Sequence, residues 1–245
     1  MIVFKAAILG LVVGISGTVI GGLLIFRAGT SPTRQSLLLG LSGGVMAAVV
    51  IFDLWGEAVS HGGFWYTLAG NMIGVALIIK FETMMNWLPW YRRRKFSPNV
   101  KLGMLLGMGI GSHNFPEGVA LGATYAFSRS IREWLGLAIL MAAHNIPEGM
   151  VITSALRLGK LPTVKILAAL ILVELPMIVG GSLGAFLGEI SGESVALALG
   201  FAGGAMLFLV AQELLPLARK LAGASWVGCG FGVGFLIGAI LVRFV

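Results

Sequence analysis

Eight apolar runs divide the chain, near residues 3–26, 36–59, 64–86, 101–127, 132–156, 163–188, 194–218 and 222–244. A helix that crosses the hydrocarbon core of a bilayer needs roughly 20 predominantly apolar residues, and each run meets that length. Charge, Pro and Gly collect in the breaks between them. The pattern predicts an all-α integral membrane protein of eight transmembrane helices, forming one domain over residues 1–245. The first run is too long for a cleaved signal peptide and ends in no small-residue cleavage pattern, so it reads as the first membrane helix.

Composition agrees with this reading. The chain is 58% hydrophobic and 11% charged, with a mean hydropathy of +0.97; a soluble domain carries about 25% charged residues. The 37 glycines include ladders at four-residue spacing, among them Gly10/Gly14 and Gly230/Gly234/Gly238, which suit close-packed membrane helices. One cysteine, Cys229, rules out an intrachain disulfide or a thiolate cluster and reads as inert packing. A net charge of +7 would raise nucleic-acid binding in a soluble protein. Here the basic residues lie in short loops, so membrane topology explains them better and no nucleic-acid partner is expected.

With an even number of spans both termini share one side. If that side is outside, 13 of the 17 basic residues fall inside, Arg92-Arg93-Arg94-Lys95 among them as an anchor toward anionic lipid. The positive-inside rule therefore places both termini outside, in the plasma or inner membrane. The six tryptophans, Trp55, Trp65, Trp87, Trp90, Trp134 and Trp226, read as helix-end anchors at the membrane surface.

Two internal repeats are visible. His113-Asn114-Phe115-Pro116-Glu117-Gly118 returns 31 residues later as His144-Asn145-Ile146-Pro147-Glu148-Gly149. Ser42-Gly43-Gly44-Val45-Met46 returns 160 residues later as Ala202-Gly203-Gly204-Ala205-Met206, which sets Asp53 on Glu213. In the topology above the paired helices run in opposite directions, as in an inverted-repeat transporter. The implied layout is three helices, a central pair, and three helices.

Ionisable groups inside a membrane helix are costly and functional by default. His113 and Glu117 are four residues apart and Asn114 and Glu117 three, so all lie on neighbouring faces. His144, Asn145 and Glu148 repeat the arrangement, and Glu174 adds a carboxylate in the middle of the sixth run. Imidazole, amide and carboxylate groups suit Zn²⁺ or Fe²⁺. The set exceeds the four ligands of one tetrahedral ion, so two neighbouring ions fit the count. Pro116 and Pro147 each remove a backbone donor beside these ligands, and kinks are expected there. Asp53 falls toward the outer end of the pathway, and Gln212 with Glu213 toward the inner end. Glu57 and His61, the latter placed in the loop after the second span, stand near the outer mouth.

The doubled hexapeptide, with Glu174-Leu175-Pro176 and Gln212-Glu213-Leu214-Leu215-Pro216, resembles the ZIP (Zrt/Irt-like) family of divalent metal transporters, in particular its small bacterial members. The resemblance covers the whole chain. It implies a two-metal site formed by His113, Asn114, Glu117, His144, Asn145, Glu148 and Glu174. It also implies import of Zn²⁺, often with Fe²⁺, Mn²⁺, Co²⁺ or Cd²⁺, and a homodimer. Two features depart from the family pattern. The loop around Arg92–Lys101 is short and basic where many members carry a His-rich loop, and Gln212 stands where some carry His. The expected protein is thus a metal transporter working by alternating access, with metal as substrate and no cofactor. The rivals are a channel using the same ligands and an intramembrane metalloenzyme. The enzyme lacks support, because no His-Glu-x-x-His helix occurs.

Overall fold

A computed structural model describes residues 1–28, 31–86, 97–128 and 130–244. Among these the regular structure is entirely helical. The helices are α1 (Ile2–Ala28), α2 (Pro32–Gly62), α3 (Phe64–Asn86), α4 (Pro98–Phe127), α5 (Ile131–Leu158), α6 (Thr163–Gly188), α7 (Gly192–Ala222) and α8 (Ala224–Phe244). Six of them, α1, α2 and α5 to α8, contain stretches long and apolar enough to cross a membrane. The protein is an all-helical, multi-pass integral membrane protein.

Local sequence explains where the helices begin. Ser31, Ser97, Ser130 and Ser191 each turn a side-chain oxygen onto a backbone N–H of the first turn, and Pro32 and Pro98 follow two of these caps. A serine cap satisfies one of the donors that a helix start leaves free, and proline at the next position loses nothing. The turns after α2 and α7 pass through Gly63 (φ 84°) and Gly223 (φ 90°), a backbone region that penalises any residue with a Cβ. These two glycines are 160 residues apart.

Both α2 and α7 carry a π-helical segment, Val50–Leu54 and Val210–Leu214, again at the 160-residue offset. Such bulges cluster at functional positions. Asp53 lies in the first and Glu213 in the second. The helix contacts keep the same register. A Cβ on Gly70 of α3 would meet the Leu197 carbonyl of α7 at 2.3 Å, and one on Gly230 of α8 would meet the Leu37 carbonyl of α2 at 2.3 Å. Gly74 stands against the Phe201 carbonyl as Gly234 stands against that of Leu41. On the other side of the bundle, Gly118 of α4 meets Met177 of α6, and Gly149 of α5 meets Thr18 of α1. Helices therefore pair as α3 with α7, α8 with α2, α4 with α6 and α5 with α1, through backbone-to-backbone contacts that only glycine permits. One set of helices (α1, α4, α5, α6) and another (α2, α3, α7, α8) meet mainly where α2 crosses α5 and α7 crosses α4.

Three expectations change. Trp55 sits in mid-helix with its indole nitrogen buried against α7 at Gly203, where it packs between helices rather than anchoring a helix end. His61 lies in the last turn of α2, its ring edge-on to Phe127 at 4.5 Å, because the helix runs on to Gly62. Cys229 is exposed rather than packed. Helices α4, α5 and α6 continue through Pro116, Pro147 and Pro176. The basic run Arg92-Arg93-Arg94-Lys95 lies outside the described residues.

Candidate metal site

The two copies of the hexapeptide face each other across α4 and α5, and α6 closes the group. Asn114, Glu117, His144, Asn145, Glu148 and Glu174 are all buried. Among the described residues, the ionisable side chains that are buried are Glu117, His144, Glu148 and Glu174 alone. A charge taken out of water without a partner costs several kcal/mol, so collecting all four in one place needs a reason.

Each carboxylate is held by one oxygen. The Glu117 Oε1 lies 2.9 Å from His144 Nε2. Glu148 Oε1 accepts a hydrogen bond of 2.7 Å from the Ser42 hydroxyl of α2. Glu174 Oε1 accepts one from the Thr18 hydroxyl of α1. The second oxygens, Oε2 of Glu117, Glu148 and Glu174, are buried and have no hydrogen-bond partner. The Oδ1 atoms of Asn114 and Asn145 and the Nδ2 of Asn145 are in the same condition, while Asn114 Nδ2 donates to the Val173 carbonyl at 2.9 Å. Buried polar atoms are nearly always paired. Five unpaired oxygens stand on α4, α5 and α6, and carboxylate and amide oxygens are donors that a hard or borderline divalent cation accepts.

His144 has a defined orientation. Its Nδ1 stands 3.2 Å from the Leu140 carbonyl, which can only accept, so Nδ1 carries a proton. Nε2 is therefore the atom turned to Glu117 Oε1. A ring fixed through its far nitrogen is the usual arrangement for a metal-binding histidine.

Gly14 of α1 lets the Glu174 carboxylate approach: a Cβ there would fall 2.1 Å from Oε2. Sequence reasoning gave the Gly10/Gly14 ladder only a packing role, and it did not find Thr18 or Ser42. Ser42 did lie within the recognised repeat, where its counterpart Ala202 has no hydroxyl. Two other predicted positions lie in the π segments. Asp53 is half-buried in the π segment of α2, and Gln212 is exposed in that of α7. The side chains of His113 and Glu213 lie outside the described residues. Among the described residues, no group of three or more His, Cys, Asp or Glu side chains is placed so that it could hold a metal ion. A cavity of about 530 Å³ between α3, α4 and α6, lined by Leu77, Ile78, Phe115, Leu172 and Pro176, contains none of the predicted ligands.

The class is thus a polytopic membrane protein whose buried ionisable groups form one cluster of oxygen and imidazole donors in its interior. A family model described as "ZIP Zinc transporter" matches residues 93–243, more than half of the chain. The chain belongs to the ZIP family, among transporters rather than enzymes. A zinc transporter ZupT of Stenotrophomonas maltophilia (strain R551-3) is 29% identical over 224 residues, covering 84% of this chain and 82% of the relative. A zinc transporter ZupT of Lysinibacillus sphaericus is 31% identical over 125 residues, 42% of this chain and 46% of the relative. A putative zinc transporter of Arabidopsis thaliana is 25% identical over 213 residues, 86% of this chain and 34% of the relative.

Proposed function

We infer that the protein imports divalent transition-metal ions, Zn²⁺ foremost, through a midplane site formed by His113, Asn114, Glu117, His144, Asn145, Glu148 and Glu174. The observation that carries this reading is the group of buried, unpartnered oxygens on Asn114, Glu117, Asn145, Glu148 and Glu174. Family membership and relatives named as zinc transporters support it. The donor set is large enough for two neighbouring ions.

In this reading Asp53 receives the hydrated ion at the outer end, and Gln212 with Glu213 lines the inner end. The shared 160-residue register of α2, α3 with α7, α8 supports an inverted repeat and one transporter domain over 1–245. The loop charges support a plasma-membrane protein with both termini outside, and family membership supports a homodimer. One set of helices moves against the other to expose the site alternately to each side.

Metal and proton compete at the site. Protons compete with the ion for imidazole and carboxylate ligands, so apparent affinity falls with acidity. The test is Zn²⁺ flux into liposomes with an entrapped indicator, at two pH values. Glu117→Ala and Glu148→Ala are expected to lower flux at least tenfold, about 1.4 kcal/mol. Wild-type flux in both variants would remove the assignment.

A further inference from the structure

We propose that the hydroxyls of Thr18 and Ser42 are positioning residues that set metal selectivity, by holding Glu174 and Glu148 to one free oxygen each. The inference rests on the metal-transport reading above. Thr18 donates to Glu174 Oε1 and Ser42 to Glu148 Oε1 at 2.7 Å, both hydroxyls are buried, and in each case Oε2 is left without a partner. Glu117 is held in the same way by His144 through Oε1. Each of the three carboxylates therefore has one oxygen engaged and one without a hydrogen-bond partner.

That arrangement discriminates between ions by how many oxygens they demand. Zn²⁺ is content with about four ligands at roughly 2.0–2.2 Å, one oxygen from each carboxylate. Oxygen-seeking ions such as Mn²⁺ take about six, and larger hard ions use both oxygens of a carboxylate to reach their number. Two-oxygen binding by Glu148 or Glu174 must share Oε1 with the hydroxyl and turn the carboxylate from the orientation which that bond sets. Giving up a buried hydrogen bond to a charged group costs roughly tenfold or more in the equilibrium. The restraint on Glu148 comes from α2, outside the helices that bear the ligands, and the pseudo-equivalent position on α7 is Ala202. Only one half of the molecule supplies it.

Two alternative roles are distinguishable. A hydroxyl that only glues helices together would affect all ions alike. A hydroxyl that positions a carboxylate changes the ratio between ions. The experiment measures Zn²⁺ and Mn²⁺ flux in proteoliposomes, and equilibrium binding of each ion to the detergent-solubilised protein, for Ser42→Ala, Thr18→Val, Ser42→Thr and Thr18→Ser. The Zn²⁺-to-Mn²⁺ ratio is expected to fall about three- to tenfold in Ser42→Ala and in Thr18→Val. It should stay at the wild-type value in Ser42→Thr and Thr18→Ser, which keep a hydroxyl. Thr18→Ala gives the same reading if the valine variant does not fold. An unchanged ratio in the variants lacking a hydroxyl, or an equal fall in those retaining one, overturns the inference. The binding arm separates the two readings: a wild-type protein that binds but does not carry Zn²⁺ loses the transport assignment, while a shifted binding ratio keeps the selectivity role.

Discussion

Asn145 is the residue at which stability and function pull apart most clearly. It is fully buried, and neither its Oδ1 nor its Nδ2 finds a partner. Each such group costs about 1–3 kcal/mol relative to its pairing with water. An asparagine kept for structure would be hydrogen-bonded, as Asn114 is through its Nδ2. Asn145→Ala is therefore expected to leave metal-free stability within about 1 kcal/mol of wild type or above it, since removing the orphaned amide offsets the small cavity created. The stabilisation that Zn²⁺ confers should fall in the same variant. Thermal unfolding in detergent with and without Zn²⁺ reads both; a large loss of metal-free stability would make Asn145 structural. Legibility at this scale followed chemistry. His, Asn and Glu in an apolar run announce themselves because nothing else explains their cost. Thr18 and Ser42 did not, because a hydroxyl in a membrane helix can satisfy itself on its own backbone, as Ser112 and Ser182 do. Only the three-dimensional contact distinguishes the two uses.

At the scale of elements, glycine does different work at positions the sequence cannot tell apart. On α8, Gly234 lies against the Leu41 carbonyl of α2, where a Cβ would stand 2.0 Å from the oxygen. Gly232, two residues earlier, has nothing within 4 Å of the same point. Gly234→Ala must push α8 off α2 and is expected to cost about 1–3 kcal/mol. Gly232→Ala should be neutral or stabilising by up to about 1 kcal/mol, since alanine is the better helix former. Comparing their unfolding temperatures in detergent checks the pairing of α2 with α8 directly. The eight apolar runs foretold the helices well, because membrane length and hydropathy dominate there. They foretold the ends less well: α2 and α7 run past their apolar stretches to Gly62 and Ala222. The π segments were not legible at all, because an extra residue in a turn leaves no mark on hydropathy. Their shared offset from one another was implicit in the alignment of Asp53 with Glu213, which the structure extends through Gly70/Gly230 and Gly74/Gly234.

At the scale of the whole molecule, the ligands and the surrounding helices belong to different sets. Every described candidate ligand in the buried cluster comes from α4, α5 or α6. The α2 contacts with α5 are polar at two points, Ser42 to Glu148 and Gln35 to Ser154, with both members of each pair buried. The corresponding positions of Ser42 and Gln35 on α7 are Ala202 and Val195, and Ser154 maps onto Ala123 of α4. Glu148 maps onto Glu117, so the two points on α7 and α4 correspond to Ala202 with Glu117 and Val195 with Ala123, and neither hydrogen bond has a donor there. Alternating access requires the ligand-bearing helices to shift against α2 and α7, so bonds such as Gln35 to Ser154 must break in each cycle. A channel with the same ligands requires no such shift. Joining the two positions separates these possibilities. In a Cys229→Ser background, Gln35→Cys and Ser154→Cys together allow a bridge to form between α2 and α5 on oxidation or with a short bifunctional thiol reagent. Zn²⁺ flux is expected to fall to background once the oxidised bridge forms and to return on reduction, with each single variant unaffected by oxidant. Flux that persists with the bridge complete, measured by loss of free thiols in the same vesicles, would mean that metal passes without relative motion of the two sets.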